Sequence, residues 1–567
     1  MMKLPFETKS ERIMASALLL LWAVLFLPNL RTNPKWYGDE GEWMEKCWTF
    51  IHGEPRVGPV KNDFIFPYPY PPVYMLVNGS LLRIFGEDIV VGRALGAVTA
   101  LAAAALLFWI GCRLRDKQFG FLCAAAFLVY NEAVMNFRWV RSHPMAGAFA
   151  LASVGFLIRY VQEKRWRDAV LAGSMCALAT GTHYMTYPLI GAVLATVAVV
   201  NARNWRTVKA WSHVLVAGAM AGSYAGAFVL WYTATSGWTP LMEQTGRLLS
   251  IANNEARPTF AGEVERFVQN VWTLGFKTPT KGPPPGWSGK DWWLAVATLG
   301  FVFLPVKDKW MRLWVPFWLL VLMYGVFKKL NNVPMFFYPA TVFLPLMAVG
   351  FAGVWTWAGE LLVKSGKGAS GGRALPGLVA CGLFAATTLS GSLGGFKSKI
   401  DTWSQFSVTE AEAAMKFVNE RTGSEDVVAV PKQIYWLVKN GKRSMLTWCA
   451  RYNGVVNDMP VPVEIPRSLY AYDCRLENTK FVVMASGVNP QTQQGVGIDL
   501  IYAQGLRGVP EVVAQMLTEK WPVVWHGGAG ATVVNVGNGR MWPVAVGGEY
   551  LVFANPRLMK SSEQAAP

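Results

Sequence analysis

From Ile13 to Leu393 the chain returns repeatedly to apolar runs of near-membrane length. A helix that crosses a bilayer needs about 20 predominantly apolar residues, because hydrocarbon offers the backbone no hydrogen-bond partner. A series of such runs restricts the fold to a bundle of membrane-spanning helices. They fall near 13–30, 89–111, 119–134, 144–161, 169–184, 187–201, 211–232, 292–306, 313–327, 333–357 and 374–395, which makes about eleven spans. Composition agrees: the 567 residues are 53% hydrophobic and 16% charged, with a mean hydropathy of +0.26, whereas an ordinary soluble protein carries about 25% charged residues. Residues 397–567 have the texture of a soluble domain instead. The expected architecture is a polytopic α-helical membrane domain over 1–396, followed by an extracytoplasmic α/β domain over 397–567.

The net charge of +17 would raise nucleic acid in a soluble protein. Here the basic residues gather in short loops between apolar runs: Arg113–Lys117, Lys164–Arg167, Arg203–Lys209, Lys307–Arg312 and Lys364–Arg373. With the first end in the cytoplasm, every one of these loops falls inside, as the positive-inside rule requires. There is no Cys/His zinc spacing and no basic stripe on a nucleic-acid fold, so nucleic acid is set aside as a partner. The opposite connections include 31–88 and 234–290, both long and mixed in charge. An odd number of spans then puts the C-terminal domain outside a plasma (inner) membrane. Lys3, Lys9 and Arg12 precede the apolar stretch Ile13–Leu27, but Pro28-Asn29-Leu30-Arg31 replaces a small-residue cleavage site. The first run therefore reads as an uncleaved span. Of the seven cysteines, Cys449 and Cys474 lie in the outer domain. A disulfide between them fits that compartment, although no spacing rule dictates it.

A scaffold or transport bundle would explain the spans and the orientation. It would not explain a first outer loop of this length, dense in acidic, aromatic and proline residues. That loop opens Trp36-Tyr37-Gly38-Asp39-Glu40-Gly41-Glu42-Trp43, and helical spacing continues to Ile51. Gly53-Glu54-Pro55 follows, then Phe66 to Tyr74 with Tyr70-Pro71-Pro72-Val73-Tyr74, then Phe85-Gly86-Glu87, and Arg93 enters the next span. Asp39 near a helix start reads blandly as a favourable charge at the positive end of the helix dipole.

Order and spacing across the whole loop resemble the C-type glycosyltransferases (the GT-C superfamily). The likeness is to the bacterial branch related to protein O-mannosyltransferases and the aminoarabinose lipid A transferase. The matching residues are Asp39-Glu40, Gly53, Pro71-Pro72-Val73-Tyr74, Phe85-Gly86-Glu87 and Arg93. The resemblance implies an enzyme that takes a sugar from a polyprenyl phosphate and transfers it to a lipid, glycan or protein acceptor at the outer face. An attacking acceptor hydroxyl must lose its proton, and a carboxylate within reach can take it. Asp39 is the candidate base by its match to the family's first-loop Asp. Glu40 is assigned a supporting role toward the base, the acceptor or a cation. One direct displacement would invert the anomeric centre. No cofactor is demanded, and a divalent metal is left open.

The leaving lipid phosphate needs fixed positive partners, which arginine suits by geometry. The second outer loop supplies Arg138, Arg141 and His143. His143 stands where family members carry an acid, so the second acidic function is either unfilled or filled by Glu132 or Asp63, and His143 could instead be a proton carrier or phosphate ligand. Lys328 and Lys329, outside against the charge rule, are further candidate donor-phosphate ligands, and Tyr338 follows them. Tyr70, Tyr74, Arg93, His183 and Tyr338 complete the expected substrate-binding set. The loop 234–290, with its Gly282 to Gly286 proline run, reads as a lid. The competing class is a transporter or flippase of lipid-linked saccharides, which predicts functional polar residues near mid-membrane; such residues are scarce here.

The C-terminal domain reads as helices over 408–422 and 510–519, and strands at 427–430, 481–484, 523–525, 532–536 and 550–553, forming one small mixed sheet. It offers no phosphate loop, nucleophile elbow or metal spacing, so acceptor binding and a structural cap are both open.

Overall fold

The computed structural model describes residues 8–32, 36, 38–52, 71–183, 186–236, 348–363, 408–444, 472–473, 475–488, 495–496, 509–536 and 541–559, with isolated positions besides. Among these, the helices are α1 (Lys9–Phe26), α2 (Gly38–His52), α3 (Pro72–Phe85), α4 (Ile89–Leu114), α5 (Lys117–Val129), α6 (Asn131–Asn136), α7 (Ser142–Glu163), α8 (Trp166–Thr182), α9 (Pro188–Asn201), α10 (Val208–Ser236), α11 (Ala348–Val363), α12 (Val408–Asn419) and α13 (Val509–Thr518). The strands are β1 (Val427–Ala429), β2 (Lys442–Ser444), β3 (Thr479–Ala485), β4 (Gly487–Val488), β5 (Gly495–Val496), β6 (Val523–His526), β7 (Gly530–Asn535), β8 (Met541–Val546) and β9 (Tyr550–Ala554).

The chain divides into two compact units. One holds 1–34, 70–74 and 93–401; the other holds 35–69, 75–92 and 402–567. The boundary falls inside α3, at Tyr74/Met75, and inside α4, at Gly92/Arg93. Most of the long first loop thus groups with the C-terminal region, not with the helices that bracket it.

The first unit is a helical bundle. Helices α4, α7 and α10 are long and apolar enough to cross a membrane, while α3, α5, α9 and α11 are apolar but shorter. The predicted spans 292–306, 313–327, 374–395 and the first part of 333–357 lie almost wholly outside the described residues, as does most of the predicted lid 234–290. The predicted span 119–134 is broken: Tyr130 adopts an extended conformation between α5 and α6. Small residues let the helices approach closely, with Ala97, Ala100, Ala103 and Ala104 of α4 buried in the same core as Phe127, Leu151 and Ala172. Local signals set the helix starts. Thr8 and Glu11 form a reciprocal cap on α1, and the Asp116 carboxylate accepts from the Phe119 N–H at 2.9 Å to start α5.

Ion pairs gather at one end of this bundle. Lys117 meets Glu11 at 2.6 Å, Arg115 meets Glu360 at 2.6 Å, and Arg113 meets Glu163 at 2.5 Å. The start of α1, the α4–α5 turn, the end of α7 and the end of α11 therefore share that end. These are segments that the charge rule assigns to a single side.

The second unit contains two sheets where the sequence predicts one. The five-stranded sheet runs β2-β1-β3-β9-β6, with β1 parallel to both β2 and β3, and β9 antiparallel to β3 and β6. The four-stranded sheet runs β5-β4-β8-β7. Every residue of β3 is buried, because both faces of its sheet are covered. Val482, Met484, Leu551 and Phe553 share a core with Val512, Val513 and Met516 of α13 and with Trp542 and Val544 of β8. On the alternate face Phe481 meets Phe417 of α12, ring centroids 6.4 Å apart. Strand β8 contains Pro543, a residue that normally argues against an inner strand. It is tolerated because β4 pairs with β8 only at Ala545 and Val546, and the Pro543 carbonyl accepts instead from the Ser486 hydroxyl at 2.8 Å.

Candidate functional site

In the helical unit, the end opposite the ion pairs collects buried cations. Arg93 of α4 donates to the Leu30 carbonyl at 2.8 Å. Arg138, in the turn between α6 and α7, donates to the Leu25 carbonyl at 3.4 Å and also bonds the Pro28 carbonyl. Both arginines therefore hold the C-terminal end of α1, where unsatisfied carbonyls carry the negative end of the helix dipole. The turn can reach this place because position 96 is glycine: a Cβ there would lie 2.3 Å from the Phe137 carbonyl oxygen. Burial pushes the Arg138 guanidinium down to about 10, and the neighbouring charge of Arg93 acts in the same direction.

Further along the same turn, the Arg141 guanidinium lies 4.6 Å from the centre of the Trp139 ring. His143, in the first turn of α7, and His183, just past the end of α8, face each other with ring centroids 4.2 Å apart. Val73, at the start of α3, lies over Gly181 beside His183, and Tyr74 next to it is buried. Arg93, Arg138, Arg141, His143 and His183 are all buried. Arginine charge buried in this way favours an anionic partner, and the two histidines can donate to one.

In the second unit the acidic first loop forms α2. Asp39 and Glu40 lie in its first turn, and Glu40 is fully buried. Buried Glu40, Trp43, Met44 and Cys47 recur at helical spacing, and the 3-10 turn Lys432–Leu437 packs on this helix. Trp36, just ahead of α2, meets Trp436 edge-on at 5.2 Å. Farther along α2, Glu45 accepts from Arg443 of β2 at 3.0 Å. The same guanidinium grips Glu87 with two bonds, at 2.8 and 3.0 Å. Side-chain exposure is 2% for Arg443, 7% for Glu45 and 6% for Glu87. Burial alone would push the Arg443 guanidinium down, but the hydrogen bonds and charge of Glu87, with Glu45 and Tyr472, outweigh it and hold it above the ordinary arginine value. Glu87 reaches this place through Gly86, whose φ of +94° ends α3 in the left-handed region that favours glycine.

Residues 70–224 match the family described as dolichyl-phosphate-mannose-protein mannosyltransferase. That interval contains the three buried arginines and both histidines. The structure of ArnT from Cupriavidus metallidurans bound to undecaprenyl phosphate superposes with a TM-score of 0.50 at 13% identity, over 98% of this chain and 99% of that one. The fold is that of the C-type glycosyltransferases. The same ArnT in the apo state gives a TM-score of 0.50 at 12% identity, over 96% and 97% of the two chains. The Archaeoglobus fulgidus oligosaccharyltransferase in complex with Zn and sulfate gives 0.49 at 11%, over 94% and 73%. No individually curated protein matches the sequence. The C-type glycosyltransferase fold makes the chain a polytopic membrane protein with a helical core and a sheet-containing C-terminal region.

Of the residues proposed from sequence, this fold brings Arg93, Arg138, Arg141, His143 and His183 to one end of the helical unit, with Tyr74 at the start of α3 beside them. Asp39 and Glu40 belong to the other unit. Tyr70, Lys328, Lys329, Tyr338, Asp63, Cys449 and Cys474 lie outside the described residues. Among the described residues no group of three or more His, Cys, Asp or Glu side chains is arranged to hold a metal. Sequence reasoning passed over Arg443 and Glu45. Glu87 was visible as part of a motif but had no partner to suggest its use.

Proposed function

We propose that this chain transfers a sugar from a polyprenyl-phosphate donor to an acceptor at the outer face of the membrane. The observation that carries the reading is the buried gathering of Arg93, Arg138 and Arg141 with His143 and His183, in the interval that matches the mannosyltransferase family. A lipid phosphate is the anion this cluster suits: it is doubly charged as it leaves, and it arrives from the membrane. That ArnT was crystallised with undecaprenyl phosphate supports the ligand class.

The acceptor oxygen forms a bond to the anomeric carbon while its proton passes to the carboxylate of Asp39, the candidate base. The bond from the anomeric carbon to the phosphate oxygen breaks, and its electron pair leaves with the polyprenyl phosphate. The arginines stabilise the charge that builds on that oxygen. Glu40 supports the base, and a single displacement inverts the anomeric centre. On the charge rule, the cationic end faces outward and the ion-paired end faces the cytoplasm.

Purified full-length protein should move label from a panel of undecaprenyl-phosphate sugars to an extracted lipid or glycan acceptor. Asp39→Asn should lower turnover by about a thousandfold and leave undecaprenyl phosphate binding intact. Normal turnover in that variant would remove the base assignment, and absence of transfer from every donor in the panel would count against the enzyme reading.

A further inference from the structure

The ion cluster at Arg443 takes no part in the chemistry proposed above, yet it is built on the helix that carries Asp39 and Glu40. Glu45 lies on α2 about 9 Å along the axis from Asp39. Glu87 sits in the turn between α3 and α4, directly after the left-handed Gly86. Arg443 belongs to β2, the edge strand of the five-stranded sheet. One guanidinium thus ties α2 to the α3–α4 turn and to the sheet at once. Ahead of α2, the Trp36–Trp436 contact ties the helix to the same C-terminal region. A helix fixed at its head and at its middle has little freedom to tilt or rotate, and its first turn, at Asp39 and Glu40, shares that restriction.

The geometry points to Arg443 as a positioning residue for the transfer reaction: by bridging Glu45 and Glu87 it sets the placement of α2 and hence of Asp39 and Glu40. This assignment rests on the transferase reading above. It gives the C-terminal domain a role in catalysis without a group that touches substrate. Placement matters because an error of about 1 Å at a reacting group can lower a rate about a hundredfold. Arginine suits the task because its planar fork can hold Glu87 with two bonds and Glu45 with a third; lysine offers a point charge without that geometry.

The groups that face this cluster predict a distinctive response. Glu45 comes from α2, Glu87 from the α3–α4 turn, Lys439 from the turn before β2, and Tyr472 from the chain ahead of β3, its hydroxyl bonded to the Arg443 carbonyl. In Arg443→Gln two carboxylates face each other with the bridging cation gone. Their repulsion would displace α2 unless one of them takes a proton.

The test uses full-length protein and labelled undecaprenyl-phosphate sugar. Arg443→Gln should lower kcat about a hundredfold with donor KM changed less than about twofold. Its activity should recover as pH falls from about 8 to about 6, where one carboxylate protonates. Glu45→Gln combined with Arg443→Gln should restore most of kcat at neutral pH, and Arg443→Lys, which keeps the charge, should fall between. Hydrogen exchange over 38–52 should rise in Arg443→Gln while exchange in α7 and α8 stays unchanged. Unchanged kcat, or a loss that neither acid nor the second substitution relieves, would overturn the assignment. Faster exchange over 38–52 in a protein whose wild type transfers no sugar would sink the transferase reading and leave the anchoring of α2 standing; unchanged exchange there would sink the anchoring itself.

Discussion

Two buried arginines in this molecule are held in different ways. Arg443 carries its own counter-charge: two carboxylates fold in with it, and its guanidinium is held above the ordinary value. The described hydrogen bonds of Arg138 go to backbone carbonyls, its electrostatic neighbour is another arginine, and its guanidinium is held down at about 10. A carbonyl dipole solvates a cation but does not cancel it. The first arrangement is complete within the chain and so serves structure. The second sets its guanidinium among carbonyl dipoles beside a like charge, a setting that favours the approach of an anion. Burial alone would rank the two residues together; the partners separate them.

The largest expected effect tests that separation directly. Arg443→Gln leaves two buried carboxylates facing each other and should cost about 3–5 kcal/mol of stability, the range for breaking a buried ion pair from one side. Arg138→Gln loses bonds to two carbonyls but relieves repulsion from Arg93, and should cost about 1–3 kcal/mol. Thermal melts of the two full-length variants in one detergent check this order. Equal losses would mean that Arg138 has a counter-charge of its own.

Much of this contrast was hidden in the sequence for physical reasons. Long apolar runs announce α4, α7 and α10, and short continuous apolar runs, 481–484 and 550–553, announce β3 and β9, because those signals are local. Helix α2 was legible for the same reason. Arg443 was not, since its partners lie 398 and 356 residues away and its strand is three residues long with two charges. Helix α3 was not assigned from sequence, where Tyr70–Tyr74 stands only as a proline motif; Pro72 takes the first helical position, where its missing N–H costs nothing. Strand β8 was missed because Pro543 normally ends a strand, and only the short reach of β4 makes room for it. The cationic cluster was half legible: the motif pointed to Arg93, Arg138 and His143, but the pairing of His143 with His183 depends on how α7 and α8 pack.

A ligand sharpens the comparison at the next scale. Undecaprenyl phosphate should raise the melting temperature of the wild type, because a ligand that binds only the folded state stabilises it in proportion to its occupancy. Arg443→Gln should retain that rise. Arg93→Gln combined with Arg138→Gln should lose most of it, with affinity down about tenfold to a hundredfold. A full rise in the double variant would place the lipid phosphate elsewhere. Backbone substitutions extend the contrast with smaller effects. In Gly96→Ala the new methyl meets the Phe137 carbonyl oxygen and pushes the Arg138 turn off α4, for about 1–3 kcal/mol and a weaker ligand response. In Gly86→Ala no atom obstructs the methyl, so the cost is backbone strain alone, about 1 kcal/mol, and the ligand response should be intact.

The smallest effect concerns Lys439, which meets the same Glu87 carboxylate as Arg443. Its ammonium lies 3.4 Å from Glu87, with 49% of the side chain exposed. Water and salt screen such a pair, so Lys439→Ala should cost about 0.2–1 kcal/mol, and added salt should shrink the difference from wild type. Arg443, at 2% exposure, should show almost no salt dependence. Melts at low and high salt therefore separate two cations that bind one carboxylate. If Lys439→Ala instead matched Arg443→Gln in cost and in salt response, the carboxylate pair would be held by the net charge around it, and the fork geometry of Arg443 would lose its claim to position α2.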